Sequence, residues 1–117
     1  MTTKTDIELL TISALAAGLR IEGTGEFNLY VSGHCRMNSL WNPLESISNA
    51  FELAAFTGLC VDFEDAEAIY RNRDVWIGSD KEMLHLQKIC RVIVLAAVAQ
   101  YEERKAEEAK NPPSEYD

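Results

Sequence analysis

Asp62, Glu64, Asp65 and Glu67 place four carboxylates within six consecutive residues, the densest ionisable cluster in the chain. Carboxylates grouped in this way can hold a hard cation at a hydrolytic centre, provided that several oxygens converge. Along an extended segment, however, Asp65 and Glu67 point away from the face that carries Asp62 and Glu64. Neither histidine nor lysine stands nearby to complete such a centre, and Arg71 and Arg73 follow it. The cluster therefore reads as a solvated acidic surface, or as one presented to a basic protein groove in partial imitation of nucleic acid.

Histidine and cysteine offer a second chemistry. His34 and Cys35 adjoin Gly33, and His85 is far along the chain. A thiol nucleophile needs a base within hydrogen-bond reach. Adjacent side chains seldom aim at one point, so His85 would have to be the base. Zinc needs about four convergent ligands, and His34, Cys35, Cys60, His85 and Cys90 lack motif spacing. Three cysteines without a C-x-x-C pair read as reduced core residues. Gly23-Thr24-Gly25-Glu26 lacks the spacing and the Lys-Ser/Thr of a phosphate loop. The expectation is no catalytic residue, no metal and no cofactor. Trp41, close in sequence to Arg36 and Asn38, is either core or an interface anchor. The candidate partner-binding residues are thus Asp62, Glu64, Asp65, Glu67, Arg36 and Trp41.

Charge narrows the partner. Nineteen acidic against eleven basic residues give a net charge of −8 over 117 residues. That balance disfavours direct nucleic-acid binding, in which phosphate neutralisation supplies most of the affinity, and favours basic proteins. The apolar run Ile89 to Ala99 is broken only by Arg91. It falls well short of the ~20 apolar residues of a membrane span. Met1 to Asp6 carries no apolar signal region, so a cytoplasmic protein is expected.

The elements that must position these residues follow from caps and periodicity. Ser79-Asp80-Lys81-Glu82 is a capping box, and it predicts one long helix from Asp80 to Ala106 that is buried along its middle. Thr5-Asp6-Ile7-Glu8 is a second box, opening a helix over Asp6 to Ala17. Ile7, Leu10, Ala14 and Ala17 form its apolar face, Ile12 and Leu15 widen it, and Gly18 stops it. Leu19 to Glu22 and Glu26 to Val31 alternate as a hairpin, and Ser32 to Leu40 reads as a loop. Asn42 caps a turn led by Pro43, or Ser46 or Ser48 caps the next helix. That helix carries a face of Ala50, Phe51, Ala54 and Ala55 and ends at Gly58. Leu59 to Phe63 is a third strand. Ala68 to Arg71 and Val75 to Ile77 flank Asn72-Arg73-Asp74 as a second hairpin, or contribute one strand with a long connection. Gly18-Leu19-Arg20-Ile21-Glu22 is echoed forty positions later by Gly58-Leu59-Cys60-Val61-Asp62. The layout is αββ-αββ-α: a single α+β domain over 1–110, three helices with the long C-terminal one central. They pack on an antiparallel sheet of three to five strands, and 111–117 is a polar tail.

Trp41-Asn42-Pro43-Leu44, followed by Ala50-Phe51-Glu52-Leu53-Ala54, resembles a family of small phage and prophage accessory proteins, similar in style to NinX-like proteins. The acidic helix over Asp6 to Ala17 with its A-G ending, and the alanine-rich Val92 to Ala99, fit the same pattern. Glu45-Ser46-Ile47-Ser48-Asn49 departs from it, where relatives are Asp- and Gly-rich. The resemblance implies a phage accessory context and no mechanism. The expected function is a small acidic cytoplasmic protein that binds a host or phage protein, in the version favoured here by inhibiting a host defence or nucleic-acid enzyme, as anti-CRISPR proteins do. Two alternatives stand beside it. One is a small-molecule or nucleotide-binding protein, with or without enzymatic activity, using the Ser32–Asn42 cleft. The other is a dimeric structural adaptor, since a broad apolar helix can pair two copies.

Overall fold

A computed structural model describes residues 5–34, 36–70, 73–76 and 84–110. Helix α1 (Asp6–Ala16) starts where the capping box predicts. The Thr5 hydroxyl accepts the Glu8 N–H at 3.2 Å, and the Glu8 carboxylate accepts the Thr5 N–H at 3.4 Å. At the far end Gly18 takes φ +78°, which lets the Leu19 N–H reach the Ala14 carbonyl at 2.9 Å. Its buried face is Leu9, Leu10, Ser13 and Ala14. The expected face is thus rotated: Leu15 is 42% exposed and Ser13 is buried. A core indole explains the rotation, because Trp41 Nε1 donates to Ser13 Oγ at 3.0 Å.

Three strands follow, β1 (Arg20–Thr24), β2 (Leu29–Gly33) and β3 (Arg36–Trp41), in an antiparallel meander with β2 central. The stretch Ser32 to Leu40 is therefore largely strand rather than loop. A bulge hid it: β2 and β3 lose register between Val31 and Gly33, and Asn38 takes φ +47°. Met37 and Asn38 are both exposed in succession, which breaks the alternation by which a strand is recognised.

Helix α2 (Ile47–Thr57) uses both predicted caps at successive turns. Asn42 Oδ1 accepts the Glu45 N–H at 3.2 Å, and Ser46 Oγ accepts the Asn49 N–H at 3.3 Å. Its buried residues are Ala50, Leu53 and Ala54, so Phe51 and Ala55 belong to the outer face, not the inner one. The helix ends as α1 does. Gly58 has φ +72°, and the Leu59 N–H meets the Ala54 carbonyl at 3.0 Å. The two closures are the same bond at the forty-residue spacing of the sequence echo.

A second meander, β4 (Cys60–Asp62), β5 (Glu67–Tyr70) and β6 (Arg73–Trp76), forms a separate sheet with β5 central. The order is αβββ-αβββ-α, not αββ-αββ-α, and there are two three-stranded sheets where one was expected. Arg73 and Asp74 belong to β6 rather than to a turn. In both units the third strand opens on arginine and closes on tryptophan, which pairs with the first residue of the second strand: Trp41 with Leu29, Trp76 with Glu67.

Helix α3 (His85–Lys110) lies between the units and packs on α1, α2, β5 and β6. Ile89, Cys90, Val92 to Val94 and Ala96 to Val98 are buried on it, so it is central as expected. Its predicted cap at Ser79 and the 111–117 tail lie outside the described residues. The helix runs past Ala106 to Lys110, where charged pairs such as Lys105 with Glu108 at 3.5 Å maintain it. No described helix is long and apolar enough to cross a membrane.

Candidate protein-binding surface

The acidic cluster is a hairpin turn and not an extended segment. Asp62 ends β4, Glu67 begins β5, and the two are cross-strand partners, with residues 63–66 forming the turn between them. The alternating-face arrangement expected from the sequence is therefore replaced. Asp62 turns inward: its Oδ1 accepts the N–H groups of Glu64 at 3.0 Å and Asp65 at 3.2 Å. Asx-type capping of this kind stabilises a turn through a carboxylate that would otherwise face solvent. Ala66, at φ +51°, is buried beneath. Glu64 and Asp65 remain exposed at the tip, beside a Phe63 that is 50% exposed. His85 Nε2 donates to the Phe63 carbonyl, tying the turn to the start of α3.

Phe63 is part of an aromatic arrangement on α2. Phe51, 47% exposed, meets it edge to face with ring centroids 5.5 Å apart. Phe56, 40% exposed, stacks on His34 with centroids at 4.1 Å and planes 16° apart. His34 sits in the β2–β3 turn at φ +48°, and its Nε2 donates to the Ala17 carbonyl at 2.6 Å. The acceptor fixes the tautomer, since a carbonyl oxygen only accepts. Phe51 and Phe56 are five positions apart, or about 140° around the helix. They border its exposed face, and Ser48 and Ala55 lie between them. The acidic turn thus flanks one side of α2, and the β2–β3 turn flanks the other.

The predicted residues divide accordingly. Glu64 and Asp65 are at the surface, Asp62 supports the turn, and Glu67 opens β5. Arg36 opens β3 just after the His34 turn, so the helix links the two stretches picked out separately in the sequence. Trp41 is corrected from surface anchor to core. It has no exposed area, because the bulge at Asn38 turns Leu40 outward and Trp41 inward against Ser13. Phe51, Phe56 and Phe63 were missed as surface residues. The five-residue spacing of Phe51 and Phe56 was the available signal, since both cannot share the inner face with Ala50 and Ala54.

Among the described residues no group of three His, Cys, Asp or Glu could hold a metal ion. Cys60 is exposed at the start of β4, which corrects its reading as a core residue, while Cys90 is buried and burial pushes its thiol pKa up. Iodoacetamide is therefore expected to modify native Cys60 about a hundredfold or more faster than Cys90, which reacts only after opening of the core. Peptide mass spectrometry over a labelling time course measures the ratio, and equal rates would place α3 at the surface. Compared with known proteins, the chain matches no family model, no curated protein and no solved structure.

Proposed function

We propose that the chain is a phage-encoded accessory protein that acts by binding a basic protein, and that it inhibits a host defence or nucleic-acid enzyme by covering its nucleic-acid groove. The observation that carries this reading is the half-exposed pair Phe51 and Phe63 beside the acidic tip Glu64-Asp65, with the half-exposed Phe56 across the outer face of α2. Aromatic anchors with charge at the rim are the composition of a recognition surface. The net charge of −8 adds long-range attraction to a basic partner.

The roles separate kinetically. Reversing Glu64 and Asp65 together to lysine is expected to slow association about tenfold at low salt, with the difference fading at high salt. Stability should move by no more than about 1 kcal/mol, because exposed charges contribute little. Phe51→Ala with Phe63→Ala is expected instead to speed dissociation, by about tenfold or more. The measurement is surface-immobilised binding to a partner captured from bacterial lysate with the wild-type chain. A partner retained with unchanged rates by both double variants would end this reading.

A further inference from the structure

A second surface feature shares no residue with the acidic turn. The start of α1, the β1–β2 turn and the Asn42–Glu45 turn enclose a groove of about 90 Å³, lined among others by Leu10, Phe27 and Leu44. It runs into a second opening of about 180 Å³ that shares Asp6, Leu44 and Glu45 and reaches Gln87 and Arg91. A water takes about 10–15 Å³ on this measure, so each opening has room for a side chain and not for a folded element.

Its chemistry is two-layered. The floor is apolar, with Leu10 and Leu44 buried, and one wall is Phe27, 71% exposed. The rim carries the exposed carboxylates of Asp6, Glu26 and Glu45. The walls are preformed: Asn42 Nδ2 donates to the Phe27 carbonyl at 2.9 Å, and Asn42 Oδ1 holds the Glu45 N–H. The chain itself shows what the rim accepts. Arg91 Nη2 donates to Asp6 Oδ1 at 3.3 Å, whereas no cation among the described residues pairs with Glu26 or Glu45.

We propose that this groove receives an arginine side chain from a basic partner segment, its stem on Leu10 and Leu44, its guanidinium over Phe27 and against Glu26 and Glu45. Arginine fits better than lysine because its planar head stacks on an aromatic ring while donating in a fork to carboxylates. The inference rests on the proposed basic partner and names a second point of contact with it.

The test is an NMR titration of the ¹⁵N-labelled protein with N-acetyl-Gly-Arg-Gly-amide and with its citrulline counterpart, which is neutral and of the same shape. Saturable shifts are expected at Phe27, Asn42 and Glu45, with citrulline about tenfold weaker. Glu26→Gln with Glu45→Gln should weaken the arginine peptide about fivefold or more, and Phe27→Ala about threefold. Both changes lie at exposed positions, and a matched pair, Glu64→Gln with Asp65→Asn, controls for net charge. Shifts centred on residues 62–67, or equal losses in the two charge pairs, would overturn the groove and leave the basic-partner reading standing. Absence of any shift with the arginine peptide would likewise overturn the groove, while the basic-partner reading stands or falls by the association and dissociation rates of the Glu64/Asp65 and Phe51/Phe63 variants.

Discussion

Trp41→Ala is expected to destabilise the protein by about 3–5 kcal/mol, the range for truncating a buried aromatic side chain. Trp41 has no exposed area and packs in the main core with Leu10, Leu29 and Leu53. The change empties the largest fully buried side-chain volume and also removes the donation from Nε1 to Ser13. Domains of this size are stable by only about 5–15 kcal/mol, so the variant should unfold at a much lower urea midpoint. Trp41→Phe keeps most of the ring and loses the hydrogen bond, and should cost distinctly less. A midpoint within 1 kcal/mol of wild type for Trp41→Ala, a loss typical of exposed sites, would return Trp41 to the surface.

Ile93→Ala should cost about 2–5 kcal/mol, as deletion of a buried aliphatic side chain does. Ile93 is fully buried on α3, with Val94 and Ala97 also buried beside it. Because α3 packs on helices of both units and on the second sheet, the loss should appear as one shifted transition. Circular dichroism and tryptophan fluorescence followed through the same urea series should give coincident midpoints. Two separated transitions would mean that the αβββ units fold independently of α3.

Where local chemistry decides an element, the sequence was explicit. Thr5 with Glu8, Ser46, Gly18 and Gly58 each mark a helix end by hydrogen bonds that involve only near neighbours. The burial of α3 was legible from its continuous apolar run. The third strands were not. β3 hides behind the bulge at Asn38, and β6 is only four residues long and begins with two charged ones. With these third strands the chain forms two separate three-stranded sheets where one was expected. At the candidate surface the acidic residues were plain, but their geometry depends on Asp62 capping its own turn. The aromatic pairs depend on which flank of α2 faces outward, a property set by the packing of Ala50 and Leu53 and invisible to a count of apolar residues.

The central position of α3 bears on how the chain is made. A ribosome synthesises α1 and α2 before it begins α3, and roughly forty residues separate Thr57 from Val98, the last residue of the buried stretch. At 5–20 residues per second that interval is about 2–8 s. Throughout it the inner face of α1 has no α3 to cover it, so Leu9 and Leu10 on a nascent chain face water or a chaperone. Closure of the core therefore cannot precede translation through Val98.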